Sequence, residues 1–439
     1  MLPSFMTPPA STSYKLANAT VPVTLAPELA SLPTKEGLVA CDILVRDGQI
    51  AELLPAGSTV DPDLPVTDLR QGMVWPCFAD MHTHLDKGHI WDRKPNPDGT
   101  FMGALDAVMA DRMANWSAAD VAARMGFSIT TAYNHGTRLI RTHLDSIAPQ
   151  HRISFEVFSA LREEWKGRVD LQAVALFPLD MMVDQAFYAD LVSTVKTHGG
   201  LLGGVTRMGP DLEAQLEQLF RTAADEGLDI DLHVDETDDK EVLTLKAIAE
   251  AKLRLGFEGA VTVGHCCSLA RQDEDVAKAT IDVVARAGLS VVSLPMCNMY
   301  LQDRYAGRTP RWRGVTLFKE LTAAGVATAV SSDNTRDPFY AYGDLDPVEV
   351  FREAVRILHL DHPLDEAARV ITKSPAAILG RPDVGMIATG QPADLVLFSA
   401  RRWSEFLSRP QMDRIVLRSG AALERQLPDY RELDTIIGA

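Results

Sequence analysis

The chain has 439 residues, 46% of them hydrophobic and 23% charged, the makeup of a soluble globular protein with room for a large core. Its formal net charge of −17, from 43 basic and 60 acidic residues, excludes the basic face that nucleic acid or an anionic membrane requires. The five cysteines contain no CxxC, the first residues carry no secretory pattern, and no apolar run nears the roughly 18 residues of a membrane span. A cytoplasmic, reducing setting is therefore expected.

The Ser-, Thr- and Pro-rich residues 1–19 read as an irregular tail. From about 20 to 72 come short β-prone pieces. Among them Cys41–Val45 and Arg46–Ile50 meet at Asp47-Gly48, a strong hairpin-turn signal. From Met73 the pattern changes to short apolar strands alternating with longer amphipathic helices. Strands are expected at Leu171–Phe177, Gly200–Val205, Asp229–His233, Ala260–Gly264, Ser290–Leu294 and Ala327–Ser331. Helices are expected at Asp211–Glu226, Lys240–Leu255, Asp273–Ala287 and Leu317–Ala324. This alternation over residues 73–383 implies a parallel sheet and suits a (β/α)8 TIM-type barrel. After 384 strand patterns return, at Leu395–Phe398 and Ile415–Arg418. Residues 20–72 and 384–439 are therefore expected to form one small β-sandwich-like domain.

Functional side chains of such a barrel gather at the C-terminal ends of its strands. Of the eleven histidines, His82 and His84 end the run Gly72–Met81 and point to one face of a strand. His233 and His265 each end an apolar run, and His143 follows a short one. His89, His135, His151, His198, His359 and His362 lie in loop or helix contexts and read as ordinary surface or structural residues. Asp333 follows the strand ending at Ser331-Ser332. Three histidines and an aspartate suit a divalent metal with an open water position; alone, Asp333 reads equally as a turn cap. Glu236 would overhang the same mouth as a proton shuttle, with a solvated loop acid as its plain alternative. Cys266, Cys267 and Cys297 read as packing residues.

At this point the chain resembles the amidohydrolase superfamily, in its cytosine deaminase-like branch. The stretches concerned are Met81–Lys87, His233–Asp239, Asn298–Arg304 and Ser332–Tyr340, in that order. The resemblance implies one Zn²⁺ or Fe²⁺ held by His82, His84, His233 and Asp333. His265 would stabilise the developing oxyanion, and Glu236 would carry the proton. The segment Leu171–Leu179 lacks the lysine of binuclear relatives, so one ion is expected.

Two positions depart from cytosine deaminases: Leu179 stands where they carry glutamine, and Asn334 where they carry aspartate. The Ser-Asp-Asn-x-Arg-Asp form is similar to N-isopropylammelide isopropylaminohydrolase. Leu179, Asn298, Gln302, Asn334 and Arg336 are the substrate-facing candidates. The implied activity is hydrolytic deamination of an amino-substituted, pyrimidine-like heterocycle with release of ammonia. Amine release from a triazine, cleavage of a cyclic amide and a non-catalytic binding barrel are the alternatives. The expected partners are this small molecule and further copies of the chain.

Overall fold

The computed structural model describes residues 6, 7 and 9–438, which fall into two compact units. One holds Asp80–Thr130, Ile140–Leu345 and the residues from Pro428 on. The other holds the residues up to Ala79, with Thr131–Leu139 and Asp346–Leu427. No helix among the described residues is long and apolar enough to cross a membrane.

Eight strands build the barrel: β1 Phe78–Thr83, β2 Thr137–Asp145, β3 Asp170–Leu176, β4 Leu202–Val205, β5 Ile230–Val234, β6 Val261–His265, β7 Ser290–Ser293 and β8 Ala327–Val330. They pair in chain order as β1–β2–β3 and, in parallel, β4 through β8. Parallel bridges Val174↔Leu201 and Pro178↔Val205 join the two sets, and Thr83↔Asp333 closes the circle. The expected strands all appear, within a residue or two at each end.

Alternation explains which side chains reach the barrel interior. In β1 the even positions Asp80 and His82 are polar, while Ala79 and Met81 between them are apolar. In β5, Asp231 and His233 alternate with Ile230, Leu232 and Val234, and all five are buried. The first and last strands are locked by a buried carboxylate. Asp80 Oδ1 accepts from Ser331 Oγ (2.5 Å) and the Ser332 amide (3.0 Å), and Oδ2 accepts from Ser332 Oγ (2.5 Å). Ser331 Oγ in turn accepts from the His82 amide at 2.9 Å. Helices α1 Phe101–Asn115 and α2 Ala118–His135 together occupy the first crossover, after β1.

The second unit carries a five-stranded and a four-stranded sheet. The hairpin Leu38–Arg46 to Gln49–Pro55 turns at Asp47 and Gly48, both at positive φ, as its sequence predicts. One hydrophobic cluster joins Tyr14, Leu16, Ile43 and Val45 to Leu395, Leu397, Ile415 and Leu417, so segments from both ends of the sequence share a core.

Besides Thr131–Leu139, which fall in the β unit, the boundaries differ from expectation in three places. A strand already begins at Tyr14, because Tyr14, Leu16 and Val21 have core positions to fill despite the Ser/Pro-rich lead-in. The helix Pro347–Leu358 belongs with the β unit, where Phe351 lies 5.3 Å from Trp75 and 6.2 Å from Trp403. The residues from Pro428 on belong with the barrel: Tyr430 Oη donates to Asp344 (2.5 Å) and Arg93 donates to the Ile436 carbonyl (3.1 Å).

Candidate active site

The mouth of the barrel gathers the predicted residues into one buried cluster. His82 at the end of β1, His84 just beyond it and His233 in β5 direct their Nε2 atoms together. His82–His233 and His84–His233 are each 3.2 Å apart. Asp333 Oδ1 lies 3.6 Å from His82 Nε2 and 3.2 Å from His84 Nε2. Donors about 2.1 Å from a shared tetrahedral centre lie roughly 3.4 Å apart, so these separations fit a single ion. The donor chemistry agrees. Burial, then mutual repulsion among the imidazoles, holds His82 far below its usual pKa, and burial does the same for His84 and His233, so all three rings are neutral and able to donate to a metal. Both Asp333 oxygens are buried without a hydrogen-bond partner, an expensive arrangement unless a cation neutralises it. Two overlapping metal-capable groups emerge, His82/His143/His233 and His82/His265/Asp333.

Two backbone features build this convergence. Asp333 and His265 adopt left-handed φ of 65° and 70°, which turns each side chain off its strand. Non-glycine residues seldom adopt that region, and such residues are enriched at functional sites. Gly264 supplies room: a Cβ there would lie 2.8 Å from His82 Cε1.

Beside the donors stands a hydrogen-bonded trio. Asn298 Nδ2 donates to Glu236 Oε1 (3.2 Å) and to His265 Nδ1 (2.9 Å), and Glu236 Oε1 lies 3.4 Å from His265 Nδ1. With Nδ1 accepting, the ring proton belongs on Nε2, which has no partner and is free to donate. Burial, reinforced by Asp333, raises the Glu236 carboxyl well above its ordinary range.

The other candidates are engaged elsewhere. Gln302 donates to the Glu236 carbonyl (3.2 Å), Asn334 to Asp337 (2.7 Å) and Arg336 to Asp92 (2.5 Å), the last with its guanidinium over Tyr430. Leu179 is buried and packs against the space left by Gly204, where a Cβ would approach its Cδ2 to 2.6 Å.

Sequence reasoning left His143 without a role. It is fully buried at the end of β2, with its ring 4.0 Å from that of His82 and Nε2 3.7 Å from Asp231. Its alternation with Arg141, whose Nη1 donates to Asp231 at 2.8 Å, is the signal that identifies it as inward-facing. Lys87 lies beside Asp145, with Nζ 3.8 Å from Oδ1. Burial opposes its charge, but Asp145, Asp337, Asp86 and Asp333 more than offset this, and it stays an ammonium.

Residues 111–421 match the sequence pattern of the Amidohydrolase family. The chain belongs to this family. It is 72% identical over 436 residues, 99% of each chain, to the pterin deaminase of Rhizobium rhizogenes strain K84. It is 25% identical over 342 residues to the N-isopropylammelide isopropyl amidohydrolase of Pseudomonas sp. strain ADP, covering 76% of this chain and 81% of that one. Among solved structures, 5-methylcytosine deaminase from Klebsiella pneumoniae superposes with a TM-score of 0.81 at 21% identity, over 94% and 98% of the two chains, a likeness of fold. This amidohydrolase is thus an enzyme acting on C–N bonds, with a cluster able to hold a divalent metal.

In the metal-free amidohydrolase, burial raises the Asp333 carboxyl from 3.8 to about 7. A folded state that holds a proton more tightly than the unfolded chain gains stability at low pH and loses it as pH climbs through that window. A metal needs the ionised form. Zinc is therefore expected to raise the melting temperature of metal-stripped protein more at pH 8 than at pH 6, read by scanning calorimetry. Equal shifts would remove Asp333 from the ligand set.

Proposed function

We propose that this amidohydrolase is a pterin deaminase. It would replace the exocyclic amine of a 2-amino-4-oxopteridine by oxygen from water and release ammonia. The hydrolytic reading is carried by one observation: four donors spaced for a single ion, with the Asn298–Glu236–His265 trio alongside. The choice of ring is supported by the 72% identity to an enzyme named for it. Leu179 supports it too, since an apolar side chain where cytosine deaminases carry glutamine favours a larger, less polar ring edge.

His82, His84, His233 and Asp333 would hold one Zn²⁺ or Fe²⁺. When bound, such an ion lowers the pKa of water to near 7 and so supplies a nucleophile at neutral pH. Glu236 takes the proton shed as water attacks C2. It passes that proton to the ring nitrogen, then takes the second proton from the oxygen now bonded to C2 and gives it to the departing amine, which leaves as ammonia as the C2 oxo group forms. A carboxyl raised by burial and by Asp333 suits both halves of that transfer. His265, with Nδ1 tied to Asn298, presents Nε2–H to the oxygen on which negative charge develops. Asn298 fixes the distance between the two groups and their orientation. The five thiols are free and buried, which supports the reducing, cytoplasmic setting.

The test is a comparison of ammonia release from pterin, cytosine and N-isopropylammelide by metal-loaded enzyme. Pterin is expected to exceed the other two by at least about 100-fold in kcat/KM, the discrimination a mismatched polar edge imposes. Faster turnover of cytosine or of the triazine would overturn the assignment.

A further inference from the structure

The turn after β1 buries an ammonium for which the protein provides no hydrogen bond. Lys87 follows the ligand His84 by three residues, and its side chain is 6% exposed. Nζ lies 3.8 Å from Asp145 Oδ1, too long for a hydrogen bond, and 4.7 Å from the centre of the Phe339 ring. Among the described residues it makes no hydrogen bond at all, although an ammonium carries three donors. None of those residues claims these donors where the side chain reaches the barrel mouth, so they are open to an acceptor that arrives from outside.

The surroundings hold this ammonium in place without using its donors. The second Asp145 oxygen accepts from Arg112 Nη1 at 2.8 Å, which keeps the carboxylate from closing on Lys87. Phe339, beneath the ammonium, packs 5.3 Å from Phe101 at the start of α1. Helix α1 therefore grips Lys87 through both its neighbours, Arg112 acting on Asp145 and Phe101 on Phe339. The charge also reaches the reaction centre, because Lys87 is an electrostatic neighbour of Asp333, Glu236, His84, His233 and His265.

Resting on the deaminase reading, we infer that Lys87 binds an oxo group of the heterocycle, with Arg112 and Asp145 as the residues that position it. An exocyclic amine is a donor and repels an ammonium; an oxo group is an acceptor and attracts it. In a 2-amino-4-oxo ring, attack at C2 drives electron density through N3 toward the 4-oxo oxygen. A cation there is worth more in the transition state than in the ground state, which makes Lys87 a determinant of both specificity and rate.

A cycle of two enzymes and two substrates tests this. The substrates are pterin and 2-aminopteridine, which lacks the 4-oxo group and the N3–H that accompanies it. The enzymes are wild type and Lys87→Met, each checked for metal content. Lys87→Met is expected to lose about 100-fold in kcat/KM on pterin but less than about 5-fold on 2-aminopteridine, and Lys87→Arg to recover part of the loss. Equal losses on both rings would make Lys87 structural and overturn the inference, as would no loss on either.

If Lys87→Met does not fold, Arg112→Met serves instead. It frees Asp145 to draw Lys87 back, and is expected to raise KM for pterin while leaving KM for 2-aminopteridine within about 2-fold. Equal KM changes overturn the inference. A wild type that deaminates neither ring overturns the deaminase reading. Equilibrium dialysis of the two rings against wild type and Lys87→Met then judges Lys87 alone: it stands if only pterin binding weakens and falls otherwise.

Discussion

Glu236→Gln is expected to keep its full complement of metal and to lose roughly 10³-fold in kcat, within the range that a positioned acid–base group contributes. Glutamine preserves the shape of the side chain and its contact with Asn298, but it can neither take a proton from water nor return one to the leaving amine. The four donors are untouched, so metal analysis should match wild type. The pH profile provides the second readout. Glu236 is the carboxyl that burial and Asp333 push well above its ordinary range, so any limb of the kcat profile that it governs should vanish in the variant. A variant that turns over within about 5-fold of wild type would remove Glu236 from the reaction.

Gly264→Val is expected to weaken metal binding by at least about 100-fold while the barrel still folds. Residues that support a ligand rather than bind the metal cost 10- to 100-fold in affinity when lost. Here the change is worse than a loss, because a Cβ at 264 lies 2.8 Å from His82 Cε1 and 3.0 Å from Nδ1. The ring has little room to retreat, since the tilted His143 ring lies 4.0 Å away, centre to centre. Alanine should cause part of the effect and valine more. Competition against a chelator of known affinity measures it, and circular dichroism checks the fold. Unchanged affinity in Gly264→Val would mean that His82 is not held where the structure places it.

Much of this was legible in the sequence because barrel strands announce themselves twice. They are short apolar runs, and their inward positions break the apolar pattern with polar residues at a period of two. His82, His233 and Asp333 were all found at strand ends in this way. What escaped detection has a physical reason in each case. His143 is separated from His82 by about 60 residues, and only the pairing of β1 with β2 brings the two rings together. Asn298 looked like a substrate contact because amides bind ring edges; the fold spends both its donors on Glu236 and His265. Asn334 and Arg336 looked exposed to substrate, but Asp337 and Asp92 claim them. The Lys87 environment depends on Arg112, and no local pattern shows that a helix after β1 returns a guanidinium to the end of β2. The early strand at Tyr14 was hidden by composition, because a Ser/Pro-rich lead-in masks alternating core residues behind it.

The seam between β1 and β8 has a consequence for how the enzyme is made. Three donors are in place once His233 has been synthesised, but the fourth, Asp333, comes 100 positions later. It is placed by an amide hydrogen bond to the His82 carbonyl at 2.9 Å. On a ribosome, a nascent chain stalled before β8 emerges would hold three imidazoles and no carboxylate, inside a barrel that is still open. On the proposed ligand set, the complete four-donor site therefore forms only at the end of folding, after the longest-range strand pairing of the barrel.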